Sequence, residues 1–308
     1  MLVLRRRGAE GLLCTLAAMS PTLGVFGLNM GPCASPDSAA AAATLAEELG
    51  YDSLWLGEHV VAPSPRVPPS PVEPDYPLLD PVVALAYMAA VTRRVLLATG
   101  IIILPQRNPL VLAKELATLD VLSRGRLVFG LGVGYLEPEM SAIGVPMEGR
   151  GTRADEYLAA MRSLWADEAP GYRGRYVEFE GVDAHPRPAQ SPIPVVVGGH
   201  TRAAHRRTVR HADGWYGFAL DREATATNLA SIREEAGAAG RDMGELSITV
   251  SPTERLDPEV VSDYAELGVD RLAVLPPGGF RSGADYPFSQ FEDFLRANAP
   301  ERVGATRA

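Results

Sequence analysis

Residues Val95–Gly134 read VLLATGIIILPQRNPLVLAKELATLDVLSRGRLVFGLGVG. Leu96 to Leu104 is a near-continuous apolar run, the pattern of a strand buried on both faces of a parallel sheet. Pro105 closes the run, and Gln106-Arg107-Asn108 makes a short polar loop. Pro109 then stands where the first turn of a helix tolerates a missing N–H, with Asn108 before it as N-cap. Leu112, Leu116, Leu119 and Leu122 recur at helical spacing until Ser123-Arg124-Gly125 ends the helix. A second buried strand, Leu127 to Val133, finishes in Gly132 and Gly134. The stretch is one strand–loop–helix–strand unit, and parallel α/β proteins put their chemistry where such strands end.

The alternation continues on both sides. Strands start at Leu23, Ser53, Leu96, Leu127, Ile193, Gly214, Ser247 and Arg271. Between them lie an alanine-rich helix capped by Asp37 or Ser38 and stopped at Gly50, a helix from Pro81 to Val91, and a long helix bearing Tyr157, Leu158, Met161, Leu164 and Trp165. Further helices run from Arg222 to Ala239, Pro258 to Leu267 and Phe288 to Ala297. Eight strands alternating with helices predict an α/β fold, a (β/α)8 TIM barrel. Insertions follow strand two, where residues 62–81 read APSPRVPPSPVEPDYPLLDP, and strand four, where Tyr135–Gly149 reads as a loop and Tyr172 to Phe179 as a small hairpin. A doubly wound open sheet is the alternative, disfavoured because no GxGxxG follows the first strand. The expected layout is residues 1–21 as an N-terminal extension, 22–300 as a single barrel domain and 301–308 as a C-terminal tail.

Composition narrows the function classes. The 308 residues are 46% hydrophobic and 22% charged, ordinary for a globular enzyme. A net charge of −9 without a basic stripe argues against nucleic-acid binding. Lys114 is the only lysine, so nearly all positive charge is arginine. Cys14 and Cys33 show no metal-ligand spacing, and neither a disulfide nor a metal site is expected. No apolar run reaches the length of a membrane span. Arg5-Arg6-Arg7 followed by Leu12 to Met19 imitates a signal peptide, but the apolar part is short and broken by Thr15. A cytoplasmic protein is the expectation.

Three strand ends carry candidate chemistry. Gly198-Gly199-His200-Thr201 precedes a helix whose free N–H groups and dipole suit a phosphate, with Thr201 as cap; an ordinary turn is the plain alternative. Gly57-Glu58-His59 places a carboxylate and an imidazole at a strand's C-terminal end, with His59 able to transfer a proton near neutral pH or merely to pack on the proline-rich loop. Gln106, Arg107 and Asn108 with Gly132, Gly134 and Tyr135 line the neighbouring sector; the glycines would let a flat ring lie on backbone, and Tyr135 could stack or donate. Glu137 is a further carboxylate, and with Glu58 it forms the pair a glycosidase would need. Glu139 beside it makes a helix-capping charge an equal reading. His185, His200, His205 and His211 do not form a metal set, and His205 and His211 are expected to be solvated.

At these residues the chain resembles the bacterial luciferase-like superfamily of flavin and deazaflavin oxidoreductases. The likeness rests on GYDSLWLGEHV, TGIIILPQRNPLVLAKELATLDVLSRGRL, FGLGVGYLEPEMSAIGVP, PIPVVVGGHT and ADGWYGF occurring in this order, from about Thr22 to Phe218. It implies the barrel reached above and a cofactor at its C-terminal mouth, either the deazaflavin F420 or flavin mononucleotide (FMN). The resemblance puts the cofactor's phosphate at Gly198, Gly199, His200 and Thr201, and a non-proline cis peptide behind its ring near Gly100-Ile101. His59 resembles the histidine that acts near the substrate, Glu58 an acidic residue beside the ring, and Glu137 a glutamate after the family's GxG. Arg107, Arg202 and Arg206 are the arginines available for the oligoglutamate tail of F420. Hydride transfer between F420 and a small organic substrate is the first reading. The others are a two-component monooxygenase fed reduced flavin by a separate reductase, and a flavin-binding barrel without turnover. Members are often homodimers.

Overall fold

In the barrel wall, short parallel strands follow one another around a closed ring. The computed structural model describes residues 20–276 and 286–307. The strands are β1 (Thr22–Phe26), β2 (Ser53–Leu56), β3 (Leu96–Thr99, resuming at Ile102–Ile103), β4 (Leu127–Gly132), β5 (Val195–Gly198), β6 (Gly214–Leu220), β7 (Ser247–Pro252) and β8 (Arg271–Val274). Each pairs in parallel with its sequence neighbours. The ring closes where Thr22–Val25 of β1 registers with Arg271–Val274 of β8. It is the eight-stranded barrel that the alternation predicts.

Helices α1 (Pro36–Leu49), α2 (Pro81–Val91), α3 (Pro109–Ser123), α5 (Arg150–Ala166), α6 (Arg202–His211), α7 (Arg222–Ala239), α8 (Pro258–Leu267) and α9 (Phe288–Ala297) surround the ring. Two short helices complete the set, α4 (Glu137–Ala142) and α10 (Pro300–Val303). Caps set their starts: Asn108 Oδ1 accepts from the N–H groups of Leu110 and Val111, and Asp80 does the same for α2. Leu85, Leu116 and Leu119 are buried between helices and strands, each such side chain contributing about 1.5–3 kcal/mol.

Inside the ring Trp55 of β2 and Tyr216 of β6 stack with centroids 4.8 Å apart, and Phe26, Ala98, Val128, Val196 and Ala273 pack around them. Below them Arg271 donates to Asp52, which also accepts from Thr22 and Ser53. That network closes the end of the barrel opposite the strands' C-termini. Function is left to the other end.

The structure departs from the sequence reading in four places. Helix α1 is capped by Ser35, whose side chain accepts from Ser38 N–H; with Pro36 at the first turn, Asp37 and Ser38 are already helical. The apolar run of strand three is not continuous but breaks at Gly100-Ile101, where the non-proline cis peptide implied by the resemblance is present. Tyr135–Gly149 contains α4, which a loop reading overlooks. The residues expected as a tail fold back: Thr306 N–H donates to Pro21 O at 2.9 Å, and Ser20 Oγ donates to Gly304 O at 2.6 Å. Residues 1–19 of the expected extension, with Cys14, lie outside the described residues. Among the described residues, no helix is long and apolar enough to cross a membrane.

Candidate functional site

At the C-terminal mouth β2 delivers Glu58 and His59 into different surroundings. His59 Nδ1 lies 2.8 Å from Glu139 Oε2, and Glu139 Oε1 accepts the Val60 N–H at 2.6 Å. The Glu139 side chain is fully buried and that of His59 is 12% exposed. An ionised carboxylate only accepts, so Nδ1 carries the hydrogen and Nε2 is left as acceptor. The Tyr135 hydroxyl stands 3.3 Å from that Nε2. Burial and the nearby charge of Glu139 hold the Tyr135 phenol above its ordinary pKa, so it stays protonated. Glu139, His59 and Tyr135 thus form a chain from a buried carboxylate to a half-exposed hydroxyl.

Glu139 was named in the sequence only as capping charge. The signal was there: Leu136, Glu139, Met140 and Ile143 fall at helical spacing, with Leu136 and Met140 buried. That spacing puts Glu139 on the inner face of α4. Glu137 is on the outer face and exposed.

Glu58 is buried and fully engaged. Its Oε2 accepts the Ile103 N–H at 2.6 Å, and its Oε1 accepts from Arg107 Nε at 2.8 Å and from Nη2. Arg107 also donates to Asp80, the cap of α2. Burial pushes the Glu58 carboxyl above its ordinary pKa against the opposing pull of Arg107. Glu58 therefore joins the end of β2 to the segment after the cis peptide. The carboxylate pair weighed for glycoside hydrolysis is not assembled, because Glu58 is locked in this ion pair and Glu137 lies outside.

Gly100 and Ile101 interrupt β3 at the mouth. A Cβ on Gly132 would overlap Ile101 Cδ1, and one on Gly198 would lie 3.0 Å from Ile101 Cγ2. The Ile101 side chain takes the room at both glycines, so at Gly132 the space is not left open for a flat ring. Gly134, at φ 80°, borders Ile103 and Met140. Ile101 and Ile103 thus belong to an apolar wall with Met140 and Val145.

Gly199, at φ 121°, is the positive-φ residue of the turn before α6, and its carbonyl accepts from Trp215 Nε1 at 2.9 Å. Thr201 caps α6 by accepting from the Ala204 N–H at 3.3 Å, which leaves its own O–H free to donate. His200 Nε2 accepts the Phe218 N–H at 3.3 Å, so this imidazole is neutral, and desolvation lowers its pKa further. The first N–H groups of α6 have no partner within the helix.

Other candidates are placed differently. Asn108 spends its side-chain oxygen on the α3 cap. Arg107 is held by Glu58 and Asp80, Arg202 by Glu234 and Glu235, and Arg206 faces Glu235 at 3.8 Å. His205 is buried, not solvated, with its ring nitrogens 2.8 Å from Ser231 Oγ and 3.0 Å from Asn228 Oδ1. Among the described residues no cluster of His, Cys, Asp or Glu could hold a metal ion.

A barrel with this mouth is the architecture of a known class. The sequence profile of the luciferase-like monooxygenase family matches residues 15–261, and the chain belongs to that family. Family members are oxidoreductases, monooxygenases among them. An uncharacterised protein of Mycobacterium tuberculosis is 37% identical over 76% of this chain and 85% of its own length. The F420-dependent glucose-6-phosphate dehydrogenase of Kineococcus radiotolerans is 31% identical over 70% of this chain and 63% of its own. The FMNH2-dependent dimethylsulfone monooxygenase of Pseudomonas putida is 26% identical over 62% of this chain and 57% of its own. Among solved structures, the monooxygenase RslO1 of Streptomyces bottropensis superposes with a TM-score of 0.70 at 25% identity, covering 92% of this chain and 98% of that one.

Proposed function

We propose that this chain is a cytoplasmic oxidoreductase that uses F420 for hydride transfer to or from a small organic substrate. The observation that carries this reading is the Glu139–His59–Tyr135 chain at the barrel mouth. A hydride transfer to or from a carbonyl carbon needs a proton at the neighbouring oxygen, and this chain supplies a path for it.

The residues present fit a ring-and-phosphate cofactor. The turn Gly198, Gly199, His200 and Thr201, with the free N–H groups of α6, would hold the phosphate, since helix N-termini favour anions. Gly100 and Ile101, backed by Gly132, would support one face of the ring, with Gly134 and Tyr135 along its edge. Bound there, the deazaflavin supplies or accepts a hydride, whereas reduced flavin also activates oxygen.

The chain's own residues manage the proton. Glu139 holds Nδ1–H of His59 and turns Nε2 toward the Tyr135 hydroxyl. When a substrate hydroxyl is oxidised, its proton passes to the Tyr135 oxygen while the Tyr135 proton moves to Nε2. The resulting imidazolium is stabilised by the Glu139 charge. Reduction runs the same path backwards. Glu58 and Arg107 act as positioning residues, holding Ile103 and with it the segment after Ile101.

The FMN alternative, a monooxygenase served by a separate reductase, is supported by the likeness to the sulfone monooxygenase. A barrel without turnover has less support, because a buried carboxylate aligned on a histidine serves no binding purpose at an apolar wall. Titrating the protein with F420 and with FMN, in both redox states and read by fluorescence, tests the choice. F420 is expected to bind more tightly, and the His59→Ala variant to keep that affinity while losing turnover. Tighter binding of FMN would sink the deazaflavin reading, and undiminished turnover in His59→Ala the role of the histidine.

A further inference from the structure

The arginines singled out in the sequence for an anionic tail are neutralised by carboxylates, but three others beside the mouth are not. Arg150, the first residue of α5, donates Nε to Gly134 O at 3.0 Å and Nη1 to Met147 O at 2.7 Å, which fixes it at the end of β4. Arg153, one turn on, lies with its guanidinium carbon 4.5 Å from the centroid of the Tyr176 ring. Arg175, on the hairpin after α5, stands 5.1 Å from the same centroid. Tyr176 is itself seated against Gly149, where an added Cβ would overlap its hydroxyl. Arg153 and Arg175 therefore share a single aromatic ring, and Arg150 lies one turn before Arg153 on the same helix.

The carboxylates around them are otherwise occupied. Asp155 pairs with Arg207, Glu178 pairs with Arg173 at 2.8 Å, and Glu156 accepts the Tyr176 N–H at 2.8 Å. Glu148 is exposed two residues before Arg150. Among the described residues none of these reaches ion-pair distance of Arg150, Arg153 or Arg175. Arg153 Nε is buried without any hydrogen-bond acceptor, an orphaned donor on a charged group.

The surface also lies in the right place. A Cβ on Gly151 of α5 would sit 2.8 Å from Arg207 Nη2 of α6, so the first turn of α5 packs beside the helix that starts at the phosphate turn. Arg150 ties that same turn to the mouth through Gly134 O, so the surface lies between the end of β4 and α6.

We propose that Arg150, Arg153 and Arg175 receive the carboxylated tail of the deazaflavin, which FMN lacks. The inference rests on the F420 reading above and turns it into a recognition site outside the barrel. Its test compares F420 bearing several glutamates with the same deazaflavin phosphate bearing none, each titrated by fluorescence at low and high salt. The wild-type protein is expected to prefer the glutamate-bearing form, and to lose that preference at high salt. The Arg153→Ala/Arg175→Ala double variant should weaken the tailed form by about three- to tenfold and leave the glutamate-free form unchanged. Arg175→Glu, a change at an exposed position, should weaken the tailed form further. Equal affinity for both forms in the wild-type protein, or an equal loss for both in the variants, overturns the tail site while the deazaflavin reading stands. Failure of both forms to bind overturns the two together.

Discussion

Glu139 Oε2 lies 2.8 Å from Nδ1 of His59, across 80 residues of sequence, and its other oxygen holds the backbone N–H of Val60. One buried carboxylate thus fixes both the ring and the main chain at the end of β2. Glu139→Gln keeps an acceptor oxygen for the Val60 N–H, turns a donating NH2 toward Nδ1 of His59 and removes the charge. It is expected to lower turnover by about 10²-fold, the lower end of general acid–base effects, with cofactor affinity retained. Glu139→Leu strands two donors and should also destabilise the protein by about 1–3 kcal/mol. Nitrogen-15 spectra of histidine-labelled protein supply an independent measure. His59 should show a protonated Nδ1 in the wild type and lose that preference in both Glu139→Gln and Glu139→Leu. Normal turnover in Glu139→Leu would remove Glu139 from the mechanism.

Arg107 is the counter-ion of Glu58, whose side chain is 1% exposed. Removing one partner of a buried pair leaves an uncompensated charge, so Arg107→Met is expected to cost about 3–5 kcal/mol. Burial already holds the Glu58 pKa above its ordinary value, and Arg107 is the group that opposes this. Without it the folded protein binds the Glu58 proton still more tightly than the unfolded chain. A raised folded pKa gives stability that is present at low pH and lost as pH rises through that value. The deficit of Arg107→Met against wild type should therefore widen with rising pH in urea melts, and Glu58→Gln/Arg107→Met should close part of it. A deficit independent of pH would mean that packing of the arginine stem, not charge, is what was lost.

How these contacts were distributed decides which were legible in advance. The bounds of α7 and α8 follow from local signals alone: Asp221 and Asp257 as caps, and Gly240 and Gly268 at the C-termini. The cap roles of Asn108 and Thr201 were legible for the same reason, since a cap and its helix are three residues apart. Glu139 was not, because its partner is on another strand and its helix has only six residues with Pro138 in the first turn. The neutralised state of Arg202 was equally hidden, for Glu234 and Glu235 come from α7. Periodicity reports which face is buried; it does not report what waits there.

Glu47, near the end of α1, shows the opposite titration. Burial alone would raise its pKa, but the N–H groups of Arg94, Val95 and Arg93 hold the carboxyl below the ordinary value of 4.5. A lowered folded pKa contributes stability that is present above the unfolded value and lost as pH falls through the folded one. Glu47→Gln should accordingly be less stable than wild type at neutral pH. The gap should shrink below about pH 4.5 as the wild-type carboxyl takes up its proton. Thermal melts across that range measure it. A gap that stays constant into acid would show that the amide replaces the carboxylate on all three N–H groups equally poorly, with no contribution from charge.

Helix α2 reads PVVALAYMAAV and carries no charge along its length. Its inner residues Val82, Leu85 and Met88 are buried, yet Val83, Tyr87 and Val91 on the other side are 70%, 44% and 37% exposed. These three recur every fourth residue and so form one stripe. Val111 and Leu122 of α3 are 56% and 64% exposed. We propose that a second copy of this chain covers the stripe, since an uncharged helix can face its own twin about a two-fold axis without repulsion. Light scattering should then give about twice the chain mass of 32.9 kDa for the wild-type protein. Tyr87→Glu and Val83→Glu place like charges opposite each other and should yield monomers with intact circular dichroism. A monomeric wild-type protein, or dimers that survive both changes, would require another interface.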